Sequence, residues 1–339
     1  MANPSVTSLL QQASRRVSRL DRTLIMMIVL LTSVFPVELF PNAPPPPKGI
    51  DGQYSGRQGQ VLLIKVPIAE EASDVKGTLL DRTIPFFREM RSGEPPGYLG
   101  LVGIDMQDAP GTYELVVNIK NGEQQARRLS YHVLITKEKF AVEHLKLPKD
   151  KVDLDDKMLA RWKTEQEQVR QALADNSALR LWHSGFVEPV NGKRTGIFGS
   201  VRIMNGQPRN PHNGEDIGAP LGTDVVATND GVIRLTVDHV FSGRGVFVDH
   251  GLGFYSMYFH LSEILVKDGD LVKAGQLIGK VGATGRATGP HLHWGVKLNG
   301  ARVNPYALLD LPFKNGSGAG PIVSDPGPPS TPDALPIKQ

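Results

Sequence analysis

The chain contains no cysteine. Disulfides and cysteine-ligated zinc are therefore excluded, while the redox compartment stays open, because a disulfide-free protein is possible anywhere. A strong charge imbalance is missing as well: 38 Lys and Arg against 35 Asp and Glu leave a net charge of +3. That mild excess suits contact with an anionic surface but is too weak to imply nucleic acid. No internal repeat occurs and no His-Glu-x-x-His pair is present. The apolar run at residues 24–35 is shorter than the about 20 residues that a membrane-spanning helix needs.

What is present reads as a mainly β protein. At 339 residues, 40% hydrophobic and 22% charged, the chain has room for two ordinary domains plus tails. Residues 1–23 are polar and basic, carrying Arg15, Arg16, Arg19 and Arg22, and they lead into an apolar segment at 24–40. Such a lead-in is the pattern of a secretory signal peptide, with an uncleaved membrane anchor as the other reading. The Pro-rich stretch 41–47 then forms a stiff extended spacer. Within 48–140, runs at 60–66, 99–104, 112–119 and 129–135 alternate or run apolar and are rich in β-branched residues, and Asn121-Gly122 suggests a hairpin turn. These short strands predict an antiparallel β-sandwich, immunoglobulin-like in general shape. It has no phosphate loop, so it is expected to bind or position, covering or aligning the groove of the domain that follows.

Residues 153–174 read as a linker helix, with Asp153 as N-cap, acids at Asp155 and Asp156 in the first turn, and Leu154, Met158, Trp162, Val169 and Leu173 near one face. From 180 to 312 strands return, at 224–228, 231–237, 245–249, 254–261, 276–281 and 291–297, punctuated by glycines as compact β structure requires. The Gly/Pro/Ser-rich tail at 313–339 is expected to be disordered.

Histidine placement carries the chemical signal. Of nine histidines, six lie between 212 and 293: His212, His239, His250, His260, His291 and His293. Singly, each is more often a surface or hydrogen-bonded core residue than a ligand. Pairing changes that. His212 and Asp216 stand four apart with Gly214 midway, and His291 and His293 stand two apart. Gly214, Gly218 and Pro220 argue against a helix, and in an extended chain 212, 214 and 216 share a face, as do 291 and 293. Gly214 leaves the space between its neighbours empty, so both can close on one ion. Two imidazole nitrogens and one Asp oxygen form a set that zinc accepts in hydrolytic enzymes, with a fourth position left for water.

Read in order, His212-x-Gly214-x-Asp216-Ile217-x-Ala219-Pro220-x-Gly222-Thr223, then Tyr258-Phe259-His260-Leu261, then Gly282-x-Thr284-Gly285 through His291-Leu292-His293 resemble the lysostaphin/LytM-type zinc endopeptidases of bacterial cell walls, metallopeptidase family twenty-three. The resemblance covers about residues 198–309, and the preceding sandwich and helix are similar in layout to some Gram-negative members. It implies a LytM-type β-sheet or barrel domain over 180–312, one zinc per chain held by His212, Asp216 and His293, and His260 and His291 as the non-ligand histidines of the active site. His291 is expected to act as base toward the zinc water and His260 as donor to the transition state, or the two exchanged. The implied activity is hydrolysis of peptide cross-links between peptidoglycan stem peptides. The implied place is the cell envelope, whether periplasmic, secreted or anchored to the inner membrane, with room for a regulatory envelope protein. A Gram-negative setting favours the D-Ala–diaminopimelate cross-link over glycine bridges.

Other residues carry smaller expectations. Tyr258, two before His260, shares its face and either lines the groove or packs in the core. Asn205 and Arg209 are candidates for substrate contact, and Arg202 is expected to hold the loop before His212. His250 reads as structural and His239 as exposed. The alternative function is a non-catalytic LytM-like activator of cell-wall amidases, but such domains have lost ligands and this chain keeps them all. The segment 269–279 resembles a biotinyl/lipoyl carrier turn, yet the Met-Lys-Met of a carrier is absent.

Overall fold

The computed structural model describes residues 52–89, 96–122, 126–146, 155–174, 177 and 179–313. The basic region, the apolar segment 24–40, the spacer 41–47 and the tail from 314 lie outside the described residues. Among the described residues no helix is long and apolar enough to cross a membrane. Strand makes up 49% of the structure and helix 9%, so the chain is mainly β, as its patterning predicts.

The first lobe is built from β1 (Gln53–Arg57), β2 (Val61–Val66), β3 (Asp74–Leu79), β4 (Arg82–Glu89), β5 (Gly97–Gly103), β6 (Gly111–Lys120) and β7 (Arg127–Thr136). They form one seven-stranded sheet in the order β1-β7-β6-β3-β4-β5-β2. The sheet curls until its two edge strands meet: the Tyr54 hydroxyl of β1 donates to the Lys65 carbonyl of β2 at 3.4 Å and accepts the Lys65 N–H at 3.3 Å. Ile64, Leu79, Ile84, Leu115 and Val133 fill the interior. An immunoglobulin-like label finds no support here, since the strands make a single rolled sheet rather than two stacked ones. Glycine permits the tight roll, because a Cβ at Gly100 would sit 2.6 Å from the Phe86 ring that fills the inside. Strands β6 and β7 pair as a hairpin, as the Asn121-Gly122 signal between them suggests.

β8 (Val142–Leu145) leaves this lobe, and α1 (Asp156–Ala172) follows. The N-cap is Asp155, whose Oδ1 accepts the Met158 N–H at 2.7 Å, not Asp153, which lies outside the described residues. The helix docks on the second lobe. Trp162 meets Phe241 edge-on at 6.5 Å, Val169 and Leu173 pack on Leu235, Val237 and Phe247, and the buried Glu165 carboxylate accepts the Val240 N–H at 3.1 Å.

The second lobe comprises β9 (Lys193–Gly196), β10 (Val201–Met204), β11 (Gln207–Pro208), β12 (Gly214–Gly218), β13 (Asp224–Val226), β14 (Gly231–His239), β15 (Gly243–Asp249), β16 (Phe254–Leu261), β17 (Glu263–Ile264), β18 (Leu271–Val272), β19 (Leu277–Lys280), β20 (Leu292–Leu298), β21 (Ala301–Val303) and α2 (Tyr306–Leu309). The main sheet runs β18-β14-β15-β16-β20-β12-β9, with β21 on β20, and small sheets β11-β10-β8 and β13-β19-β17 flank it. Alternation along β16 and β20 sends Tyr258, Leu292 and Trp294 into a core with Ile217, Val246 and Ile278, and leaves the opposite face for the site.

The lobes share a further core, in which Phe87, Leu99 and Leu101 of the first pack with Trp182, Phe254, Leu298 and Val303 of the second. The Arg302 guanidinium grips Asp105 with two hydrogen bonds, at 2.7 and 3.0 Å. Phe313 meets Trp182 edge-on at 4.9 Å.

Candidate metal centre

Strands β12 and β20 run antiparallel with Asp216 directly opposite His293, so carboxylate and imidazole rise side by side on one face. His212 enters from the segment before β12, where its backbone N–H donates to the Ser200 carbonyl at 2.9 Å. Its Nδ1–H is given to the Ile197 carbonyl at 3.1 Å, which turns the Nε2 lone pair inward. The three donors converge: His212 Nε2 lies 3.0 Å from His293 Nδ1 and 2.9 Å from Asp216 Oδ1, and His293 Nδ1 lies 2.8 Å from Asp216 Oδ1. Neighbouring ligands of a tetrahedral zinc stand about 3.3 Å apart. The observed triangle is within a few tenths of an ångström of that, so the set fits one divalent ion. A single proton serves such a crowd of lone pairs poorly, whereas a cation at its centre satisfies all three.

Glycine makes the convergence possible. A Cβ at Gly214 would stand 2.6 Å from both His293 Nε2 and the Trp294 carbonyl, and one at Gly196 would stand 2.3 Å from Asp216 Oδ2. Arg202, expected to hold a loop, instead donates to Asp216 Oδ2 at 2.9 Å and pairs with Glu143 of β8 at 3.5 Å. Burial works to raise the Asp216 carboxyl, but the adjoining His212 and His293 rings outweigh it and hold the group far below the usual carboxylate range. Burial pushes His293 down to about 4 despite the opposing pull of Asp216.

His260 and His291 stand together beside the triad, ring centroids 4.7 Å apart, with His291 Nε2 3.8 Å from Asp216 Oδ1. His260 Nδ1–H is held by the Thr284 carbonyl at 2.8 Å and His291 Nδ1–H by the Gly289 carbonyl at 2.8 Å. Each ring is thereby left with a free Nε2. Burial, then the neighbouring His293 and His291, push His260 down to about 3. Its backbone is left-handed (φ 64°), and this turn at the end of β16 brings the ring into the groove beside Phe259.

That backbone turn explains why Tyr258 is not a groove residue. The shared-face argument assumed a regular strand through 260. Tyr258 instead points to the core, fully buried, and accepts the Thr228 N–H at 2.8 Å. Asn205 does not line the groove either; with Gly206 it forms the exposed tip of the β10–β11 hairpin, both residues at positive φ. Arg209 does line it. His239 is buried rather than exposed, because α1 covers it and Gln168 reaches its Nε2 at 3.3 Å. His250 is wholly buried, with Nδ1–H on the Asp230 carbonyl and Nε2 against the Ser256 hydroxyl, both at 2.7 Å.

The groove above the triad has a volume of about 740 Å³. One wall is α1, through Leu159, Trp162, Gln166 and Val169; the first lobe, expected to cover the groove, contributes no lining residue among those described. Arg286 also lines it and was not expected from the sequence, where it occupies an unconstrained position between Gly285 and Ala287.

A sequence profile described as Peptidase family M23 matches residues 210–305. A solved structure described as a putative peptidase M23 from Pseudomonas aeruginosa is 30% identical, covering 74% of this chain and 94% of that one with a TM-score of 0.53. The chain belongs to peptidase family M23. The likeness to the Pseudomonas structure reaches well beyond the matched M23 segment, over most of the chain. Among curated proteins, the M23 segment is 48% identical over 94 residues to peptidoglycan DD-endopeptidase ShyA of Vibrio cholerae, 28% of this chain and 22% of that protein. It is 43% identical over 97 residues to the DD-carboxypeptidase/endopeptidase Mpg of Neisseria meningitidis, 29% of this chain and 22% of that protein. The matched region thus spans about a fifth of the length of these relatives.

Proposed function

We propose that this M23 chain is a zinc-dependent endopeptidase that hydrolyses peptide cross-links of bacterial peptidoglycan at the cell envelope. The observation that carries the reading is the convergence of His212, Asp216 and His293 on one centre, with two further imidazoles beside it, at the floor of an open groove. A divalent ion held there supplies Lewis acidity, polarising a carbonyl and lowering the pKa of a coordinated water toward about 7.

The chain's own residues supply the rest. Arg202 and the cross-strand pairing fix the Asp216 carboxylate, and the Ile197 carbonyl fixes the tautomer of His212. His260 and His291 each present a free Nε2, so one takes the proton of the attacking water and returns it to the departing amine, while the lone pair of the other accepts the water's second hydrogen and holds it in line. The proton gained from water is the proton lost to the amine, so the site ends as it began. Nothing in the groove favours the reading as a non-catalytic activator, since all five residues are present and gathered.

The relatives named as DD-endopeptidases support a bond between two D-configured centres, such as D-Ala–diaminopimelate, as the target. The test is digestion of purified sacculi with and without a chelator, followed by mass analysis of the released muropeptides. Release of cross-link cleavage products only without chelator is expected; intact sacculi under both conditions would overturn the reading.

A further inference from the structure

Three guanidinium groups line the groove, from Arg202, Arg209 and Arg286. Arg202 is already engaged by Asp216 and Glu143. Arg286 is different. It sits on the loop between β19 and β20, which also supplies the Thr284 carbonyl to His260. Its backbone N–H donates to the Phe241 carbonyl at 2.8 Å, and its guanidinium lies over the Phe241 ring, 4.1 Å from the centroid. The position is thus fixed twice, by backbone and by stacking. No carboxylate among the described residues pairs with it. The charges it feels are those of Arg202 and Arg209, which add to burial in disfavouring its charged form. The nearby acid on α1, Glu165, is committed to Arg161 and the Val240 N–H.

A guanidinium fixed at a half-buried groove wall with no carboxylate partner among the described residues is favoured by an anion that joins it. A guanidinium stacked on an aromatic ring keeps its in-plane N–H groups free, and these match a carboxylate in fork geometry. A DD bond provides such a group. Where a D-Ala carbonyl is joined to the amine of a diaminopimelate or of a terminal D-Ala, the carbon bearing that amine carries a carboxylate outside any peptide bond. In a glycine bridge the corresponding carboxyl is tied up in the next amide.

We propose that Arg286 forms a carboxylate subsite that selects substrates whose leaving residue bears a free carboxylate next to the scissile nitrogen. This deepens the endopeptidase reading and rests on it. The subsite positions substrate and takes no part in proton transfer.

The test uses the full zinc-loaded chain and two synthetic D-Ala–diaminopimelate peptides that differ only in whether the leaving-side carboxyl is free or amidated. The wild-type chain is expected to favour the free acid in kcat/KM by about 10- to 10²-fold, the scale of a hydrogen bond to a charged group. Arg286→Gln should lower the free-acid peptide by that factor relative to the amide, bringing the ratio toward one, and Arg286→Lys should restore part of it. Equal cleavage of both peptides by the wild-type chain, or an equal loss on both in the Gln variant, overturns the subsite while leaving the peptidase reading intact. A wild-type chain that cuts neither peptide overturns both. The thermal midpoint and zinc content of each variant separate a specific effect from misfolding.

Discussion

The metal centre depends on a side chain that position 214 does not have. Any Cβ there meets His293 Nε2 and the Trp294 backbone, and backbone cannot step aside. Gly214→Ala and His293→Ala are each therefore expected to lower bound zinc from about one per chain to a small fraction of that, with the fold preserved; metal analysis after dialysis checks it. His260→Ala or His291→Ala should keep the metal and cut turnover by about 10²-fold or more, the scale of acid–base groups. His250 predicts a pH effect away from the metal. Burial pushes its value from 6.5 down to about 4. As pH falls, the unfolded chain takes up this proton first, so the stabilisation is complete above pH 6.5 and lost on the way to about pH 4. The loss is on the order of 3 kcal/mol for this fully buried ring. His250→Gln should flatten the acid limb of stability by about 1.4 kcal/mol per pH unit, read from urea denaturation at a series of pH values. At this scale the sequence brought out the candidate ligands because Asp216 and His293 lie on paired strands and His212 stands just before one of them. It hid Arg286, which a loop folded onto Phe241 brings to the groove, and left Tyr258 open between groove and core, a choice that the left-handed residue at His260 decides for the core.

Helix α1 was legible as an element but not as a wall. Its apolar face says that it packs; it does not say on which lobe. The deciding residue is Glu165, which reads as one more surface acid yet is buried and holds the Val240 N–H with both oxygens at 3.1 Å. Glu165→Ala leaves that donor without its partner, at a cost of about 1–3 kcal/mol. Hydrogen exchange across residues 156–172 should accelerate by about tenfold or more, while protection in β16 and β20 stays unchanged; equal change in both would mean that the helix is not a separately pinned wall. Strands showed a similar divide. Those at β14, β16 and β20 have long alternating runs and stood out. The β3–β4 hairpin did not, because Gly77 interrupts the apolar face to admit Phe86 and the turn at Leu80 adopts positive φ without glycine or asparagine to announce it. Conversely, Asn205-Gly206 is a plain turn signal, and reading Asn205 for chemistry overlooked it.

For the molecule as a whole, the question is whether the second lobe stands alone. Domain boundaries read from composition suggest that it does, with the helix as a tether. The packing argues otherwise. A chain beginning at residue 178 loses Phe87, Leu99 and Leu101 from the shared core, exposing Trp182, Phe254 and Val303. It also loses the Asp105 carboxylate that holds Arg302, the β8 strand paired in parallel with β10, and the α1 wall. Each large apolar side chain withdrawn from such a core costs about 1.5–3 kcal/mol, so the three together exceed the cost of any single surface change. At about 2–4 °C per kcal/mol for a chain of this size, the truncated form should melt more than about 10 °C lower and bind a dye for exposed apolar surface. The full chain should instead melt in one transition, because the shared core ties the interiors of the two lobes together. Two separate transitions in the full chain, or a truncated chain with an unshifted midpoint and undiminished sacculus digestion, would show that the first lobe is only an appendage. If the midpoint falls and activity falls with it even well below that midpoint, the lost α1 wall accounts for the excess, since the first lobe itself contributes nothing to the described groove.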